Sequence, residues 1–304
     1  MSDEAGQVRG TISFDRMLGF TIPGAKIRGR VVRIGPLLEA IVSAHDYPPP
    51  IKHLLAEALM LTAMMGSLIK ERESQLTMQA QAEGGTVSLL VCDYRDGEMR
   101  GYVQFDPERL AQVGSSPSLE TLFGEGYLAI TFELPASDER YQGIVRLEGA
   151  SLSQACERYF ERSEQVPTVF RVGVRIDGES AIAGGLMIQH YPDREEGRER
   201  LHANFDEPDL DWERISILGS SVRYDELVDP TLEAEHIVWR LYHEEAEVRI
   251  EPIGNLARGC RCTVEHYEQI LSRFAESERA DMRDDDGSIA IDCAFCSKVL
   301  KVFV

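Results

Sequence analysis

Cys260-Arg261-Cys262 and Cys293-Ala294-Phe295-Cys296 are the stretches on which the reading of this chain turns. They form a C-x-C pair and a C-x-x-C pair, separated by the thirty residues 263–292. Zinc takes four soft ligands in a tetrahedron at roughly 2.3 Å each, and two short-spaced cysteine pairs brought together supply that donor set. The chain has six cysteines in 304 residues and four of them fall in these pairs, so unrelated placement explains them poorly. The flanking sequence is short of core. Thr263 caps a helix expected to run to about Ala280, with Val264, Tyr267, Ile270, Leu271 and Phe274 on one stripe. Asp286-Gly287 turns the chain into a strand at Ser288–Ile291, and Val299–Val304 reads as a closing strand. Two short strands and a helix cannot bury enough apolar surface to fold alone, so a bound metal must supply folding energy.

Immediately upstream lies a segment of a different character. From Tyr191 to Glu213 charge dominates and apolar residues are sparse, which predicts an exposed acidic connector. Two short helices are expected after it. One carries Trp212, Ile215 and Leu218, and the other starts at Asp229-Pro230 and presents Leu232, Val238, Leu241 and Tyr242. Each apolar face is narrow and each helix is short enough to be marginal by itself. Such a segment folds only while docked on something else, and is the easiest part of the chain to unfold.

The rest of the chain reads as a conventional core. Ala25–Ile34 is a strand, Leu37–Ala44 a short helix, and Pro48-Pro49-Pro50 leads into a long helix from Ile51 to about Glu71. That helix is apolar nearly all round, which places it in the middle of a domain. Its most apolar run, Leu54–Ile69, contains Glu57 and is shorter than the ~20 residues needed to cross a bilayer, so no membrane partner is expected. Alternation at Leu76, Met78, Ala80 and Ala82, with turns at Gly84-Gly85 and Asp96-Gly97, predicts an antiparallel meander. Further strands are expected at 127–134, 142–147, 169–176 and 181–189, with a helix capped by Ser151 between them. The fold class is therefore α+β: a mainly antiparallel β-sheet core domain with covering helices (1–190), an acidic helical linker (191–252) and a small C-terminal zinc domain (253–304).

Composition narrows the function. An apolar fraction of 43% is that of a globular chain, and a formal charge of −20 repels phosphate backbones, so no nucleic-acid partner is expected. Met1-Ser2-Asp3-Glu4 has neither a basic start nor an apolar run; a cytoplasmic, reducing setting is expected, where paired cysteines bind metal or act in redox chemistry. Asp284, Asp286 and Gly287 resemble the start of a calcium loop, but the position that needs a carboxylate is Cys293. His236 and His243 lack a third ligand at usable spacing, and no phosphate-binding glycine motif is present. Cys92 and Cys156 read as small buried hydrophobes. Four thiolates leave no open position for a water, which argues against metal catalysis. From spacing alone the site is structural or a sensor, since zinc-held thiolates are also the form oxidants attack.

Beyond the cysteines, five stretches resemble the heat-shock protein 33 family: His45-Asp46-Tyr47-Pro48-Pro49-Pro50, Arg140–Gly149 (RYQGIVRLEG), Tyr159–Gln165 with Pro167, Leu241-Tyr242-His243-Glu244-Glu245, and the C-x-C/C-x-x-C tail itself. The resemblance covers nearly the whole chain and implies an ATP-independent, non-enzymatic holdase chaperone. It places Cys260, Cys262, Cys293 and Cys296 at the family's zinc-thiolate positions, with one Zn2+ per chain in the inactive, reduced form. It further implies that oxidation bridges Cys260–Cys262 and Cys293–Cys296, expels zinc, unfolds the linker and yields a homodimer that binds unfolded or aggregation-prone proteins. Alternatives are a constitutive zinc-stabilised binding protein and a thiol–disulfide oxidoreductase acting through Cys293 and Cys296, though no thioredoxin-like pattern surrounds them. Two features depart from the family: only eight residues follow Cys296, and Leu256-Ala257-Arg258-Gly259 lacks the aromatic that commonly precedes the first cysteine. Both point to a less stable reduced zinc domain.

Overall fold

The computed structural model describes residues 14–114, 117–135, 139–191 and 209–304. Most of the expected acidic connector, 192–208, lies outside the described residues. The chain opens with a hairpin, β1 (Arg16–Ile22) and β2 (Ile27–Ile34), followed by helices α1 (Pro36–Val42) and α2 (Pro49–Gly66). The meander β3 (Gln75–Ala82), β4 (Val87–Arg95) and β5 (Glu98–Phe105) comes next, then α3 (Pro107–Leu110), α4 (Leu119–Phe123), β6 (Gly126–Leu134) and β7 (Glu139–Arg146). Helix α5 (Leu152–Tyr159) leads to β8 (Thr168–Asp177) and β9 (Ser180–His190). The C-terminal third holds α6 (Leu210–Ser220), α7 (Tyr224–Leu227), α8 (Ala234–Tyr242), β10 (Arg249–Asn255), β11 (Ala257–Arg258), α9 (Val264–Leu271), α10 (Glu276–Met282), β12 (Ile289–Asp292) and β13 (Val299–Val302).

Two large sheets result, ordered β10-β1-β2-β9-β8 and β11-β5-β4-β3-β6-β7; β12 and β13 form a separate hairpin. All pairings are antiparallel except that of β11 with β5. Helix α2 touches strands of both large sheets, and Leu55, Leu59, Met60, Leu61, Met64 and Met65 are fully buried. The all-round apolar pattern of this helix therefore reflects a position between two sheets. Pro49 and Pro50 occupy its first turn, where a missing N–H costs nothing. Glu57, the acid within the apolar run, accepts from Ser153 N at 3.0 Å and Oγ at 2.8 Å and so caps α5. Loss of solvent raises its carboxyl above the ordinary range, and the Ser153 donors oppose that rise.

The strand expected at Ala25–Ile34 is β2, and a further strand not read from sequence, β1, precedes it and pairs with β2 on one side and β10 on the other. The β10 register shifts between Met17 and Leu18, opposite Gly254 and Pro252. A proline there is tolerated because β10 is an edge strand and the ladder is already irregular. The helix expected over 263–280 is two helices. Arg273 N and Phe274 N bond back to Ile270 O and Leu271 O at 3.1 and 3.0 Å, tightening the end of α9, and Glu278 caps Ala275 N at 2.8 Å to restart as α10.

Helices α6, α7 and α8 lie on the face of the first sheet that α2 does not cover. Leu18, Phe20, Ile22, Ile27, Val31, Leu186 and Ile188 of that sheet pack against Ile215, Val222, Leu227, Ile237, Val238 and Tyr242. Asp229-Pro230 makes a turn rather than a helix start: Thr231 N bonds Asp229 Oδ1 at 2.7 Å, and α8 begins at Ala234. Arg33, only 1% exposed, donates its guanidinium to the carbonyls of Leu232 and Asp229 in that turn. Its two terminal nitrogens thus find acceptors in the segment that covers it, and loss of the segment would leave a donor-rich cation against an apolar face. The close approach depends on two glycines paired across β8 and β9, Gly173 and Gly184. A Cβ at Gly173 would sit 2.4 Å from Tyr224 O, and one at Gly184 would sit 2.1 Å from Leu227 O. Only a strand without side chains at both positions lets the α7 backbone rest on the sheet.

Gly184→Ala should therefore lift α7 at a cost of about 1–3 kcal/mol, the usual range for overpacking. Hydrogen exchange across 210–242 is expected to accelerate roughly tenfold, about 1.4 kcal/mol, with β3 and β4 unchanged. Unaltered exchange across 210–242 would show that the glycine pair does not hold the segment.

Candidate metal centre

The cysteine region follows directly from β10. Leu256 N bonds Asp15 O at 2.6 Å, and its side chain is buried in the main core. Ala257 N and Gly259 N then donate to Gly97 O and Met99 O of β5, each at 2.9 Å, so the chain reaches Cys260 already fixed to the second sheet. After Cys262, Thr263 accepts from His266 N at 3.1 Å and starts α9, as its residue type predicts. The second cysteine pair sits where β12 turns into β13. Cys293 N bonds Lys298 O at 3.0 Å, and Cys296 N and Ser297 N bond back to Cys293 O at 3.2 and 2.8 Å. Ser297 takes a left-handed backbone at φ 54° to close this knuckle.

All four sulfurs lie within 4.8 Å of one another. Cys260 Sγ is 3.2 Å from Cys262 Sγ and 3.6 Å from Cys293 Sγ, and Cys262 Sγ is 3.3 Å from Cys296 Sγ. Four sulfurs at roughly 2.3 Å from a common centre would be about 3.8 Å apart; the three spacings given are a little shorter, and all four sulfurs are close enough to share one ion. Cys293 and Cys296 are buried; Cys260 and Cys262 are half-buried. Burial pushes the thiols of Cys260 and Cys262 upward. It pushes Cys293 upward too, but the Phe295 amide, the Cys260 thiol and the Cys296 amide outweigh it and bring that thiol to about 7. The donor set and its spacing thus fit a soft divalent ion held by Cys260, Cys262, Cys293 and Cys296. Around it the apolar core consists of buried Leu271, Ile289 and Val302, with Val264, Tyr267, Ile291 and Val304 packed partly against them.

The residues enclosed by the two cysteine pairs bind the region to the core. Phe295 lies edge-on to Tyr102 at 4.9 Å between centroids, and the Arg100 guanidinium sits 4.0 Å from its ring centroid. Arg100 is itself held by Asp93 at 2.7 Å, and Asp93 accepts from Thr77 at 2.8 Å. Arg261 donates to the Gln75 side chain on β3. Ser297 Oγ pairs with His45 Nδ1 at 2.9 Å, and His45 stacks on Tyr47 at 4.7 Å. His45, stacked on Tyr47, thus receives one end of the knuckle. Sequence reasoning did not find Phe295, Arg261 or their partners: their positions inside the cysteine pairs are visible in the sequence, but nothing local names residues about 185 to 195 positions away. Of the other candidates, Asp286 accepts from Ser288 and Lys301 as a hairpin brace, and His243 stacks on Trp239 at 4.7 Å. Cys92 and Cys156 are fully buried, with thiols pushed well up by burial. Among the described residues, the four cysteines are the cluster able to hold a metal ion, and no helix is long and apolar enough to cross a membrane.

Comparison with known proteins gives a consistent result. The family described as Hsp33 protein matches residues 15–302. The 33 kDa chaperonin of Caulobacter vibrioides (strain NA1000 / CB15N) is 36% identical over 296 residues, covering 95% of this chain and 94% of the relative. The 33 kDa chaperonin of Escherichia coli (strain SMS-3-5 / SECEC) is 32% identical over 285 residues, covering 93% and 90%. The crystal structure of the 33 kDa chaperonin from Thermotoga maritima superimposes with a TM-score of 0.76 at 20% identity, over 95% of both chains, and supports the α+β fold.

Phe295→Ala removes the ring between Arg100 and Tyr102 but no sulfur. An exposed cation–π contact contributes about 0.5–1 kcal/mol. Amide exchange at 293–298 should speed up several-fold while the reduced protein keeps its metal stoichiometry; loss of metal in this variant would show that the ring shapes the cluster itself.

Proposed function

This chain belongs to the Hsp33 family, and we propose on that premise that it is a redox-regulated, ATP-independent holdase chaperone with no catalytic role, acting in the cytoplasm on unfolded or aggregation-prone proteins. In this reading residues 1–190 are the core domain, 191–252 the metastable linker and 253–304 the redox-switch domain, with β10 running across the 252/253 junction. The observation that carries the proposal is one of continuity. A four-thiol cluster stands five residues beyond β10, on the same stretch of chain as the helices that cover the apolar face of the first sheet.

Zinc bound at Cys260, Cys262, Cys293 and Cys296 would contribute roughly 10–16 kcal/mol of apparent folding free energy. The cysteine region, with its three buried apolar side chains, has little else, and marginal domains cannot spare that amount. Oxidation by hydrogen peroxide balances as two disulfides from four thiolates, with two peroxides and four protons becoming four waters and the metal ion set free. We assign the bridges Cys260–Cys262 and Cys293–Cys296. The sulfur distances favour neither these nor the crossed pairs, but once the region opens only the sequence-near partners stay close. Unfolding of 253–304 removes the anchor of the linker, and the face formed by Leu18, Phe20, Val31 and Ile188 becomes available to clients. Dimerisation of the activated form then doubles the client surface.

Zinc content and suppression of client aggregation, followed together during oxidation, test this. One zinc per reduced chain should be lost in step with the gain of suppression; equal suppression by reduced and oxidised protein would sink the switch. Cys260→Ser should weaken zinc binding more than ~100-fold, beyond the 10–100-fold typical of losing an outer-shell partner. The same variant should exchange faster across 209–245 under reducing conditions, and wild-type rates there would disprove the coupling between cluster and linker.

A further inference from the structure

The edge of the second sheet is closed by a device that the switch would open. Strand β5 is flanked on its outer side by β11, a two-residue strand running parallel to it, with Ala257 opposite Glu98 and Arg258 opposite Met99. Gly97 O and Met99 O accept from Ala257 N and Gly259 N. Four residues beyond Met99, the Tyr47 hydroxyl donates to Val103 O at 3.0 Å and accepts from Val103 N at 2.9 Å, standing in for a strand partner. Gly97, Met99 and Val103 share one parity, so their main-chain groups, and those of Gly101 between them, point out of the sheet. An edge of this kind is a template for any extended chain unless something covers it.

Tyr47 belongs to the main core, but the β11 part of this cover is continuous with the cysteine region. Gly259 adjoins Cys260, and Phe295, over Arg100 and Tyr102, lies inside the second cysteine pair. Leu256, at the other end of β11, fills a place in the main core with 5% exposure. When 256–262 departs, β5 is left with free carbonyl acceptors, an apolar socket vacated by Leu256 and an aromatic seat vacated by Phe295. We propose, building on the holdase reading, that this uncovered β5 edge is a client-binding site that captures an extended segment of an unfolded protein by strand addition in place of β11. Main-chain pairing gives affinity without reading sequence, and the two sockets favour segments with bulky apolar side chains. Those are the segments that an unfolding protein exposes and a folded one hides. The requirement for an extended partner also separates clients from native proteins in a way that an apolar face alone does not.

The test places a photo-cross-linking amino acid at Tyr102, beside the edge, or at Tyr127, on β6 of the same sheet. Reduced, carboxymethylated α-lactalbumin serves as a permanently unfolded client. Oxidised protein should cross-link to it from position 102 at least tenfold more than reduced protein, and more than from position 127. A peptide corresponding to 251–259 should compete for that cross-link. The same peptide N-methylated at Ala257 and Gly259, which lacks the two donors, should not. Equal competition by the two peptides overturns strand addition, as does a cross-link at 102 no stronger than at 127. Cross-links from 102 to a second copy of the chain that client does not displace would assign the edge to dimerisation and overturn the proposal. Aggregation suppression without the 102 cross-link defeats this proposal and leaves the holdase reading standing; no suppression in either redox state defeats both.

Discussion

Four sulfur atoms within 4.8 Å of one another are the constraint on which the cysteine region of this molecule depends. Outside them the cysteine region has three buried apolar side chains, Leu271, Ile289 and Val302, and a core of that size cannot offset the conformational entropy of ordering about forty-five residues. Its remaining support is contact with the second sheet through Phe295 and Arg261, and with His45 in the α1–α2 turn through Ser297. Phe295, Arg261 and Ser297 lie within or beside the two cysteine pairs. The loops that would bind metal are therefore the same loops that dock, and a change of state at the sulfurs reaches the interface without passing through any intermediate element.

The linker helices depend on their surroundings in a second way. They cover an apolar sheet face, give the two terminal nitrogens of the buried Arg33 backbone carbonyls as acceptors, and rest their own backbone on the paired glycines of β8 and β9. Every one of these contacts is made with the sheet, and the helices are short enough that little is left to hold them once it is lost. Arg33 raises the stakes on the other side. Its burial is tolerable only while Asp229 and Leu232 accept from it, so the sheet face and its cover are mutually required.

The parts that sequence made visible are those whose physics is local. Close cysteine spacing, the all-round apolar α2, the alternation in β3 and the caps at Ser151 and Thr263 each depend on residues a few positions apart, and the structure has them as read. Strand β10 was missed because it is held by pairing with β1, more than two hundred residues away, and Gly19 in β1 and Pro252 in β10 blur the local pattern of both strands. The break between α9 and α10 was missed because the apolar stripe continues across it to Phe274. For the candidate site the donors were legible and the seat was not. Phe295 is an unremarkable residue between two cysteines until Arg100 and Tyr102 are brought beneath it.

Topology decides what losing the C-terminal region would do to the remainder. Strands β10 and β11 are each the outermost member of a large sheet, so their departure takes one edge from each and breaks no central pairing. The buried residues of α2 and the inner faces of β2, β3, β4, β8 and β9 are untouched, and the main core keeps all but Leu256 and the partly buried Ile253 of its apolar side chains. A chain arranged the other way, with its C-terminal strands in the middle of a sheet, would unfold as a whole when its metal was lost. Here departure of β10 and β11 would expose one edge of each large sheet and leave the central pairings in place. Edge placement of β10 and β11 thus confines such a loss to the margins of the two sheets, away from the core that α2 organises.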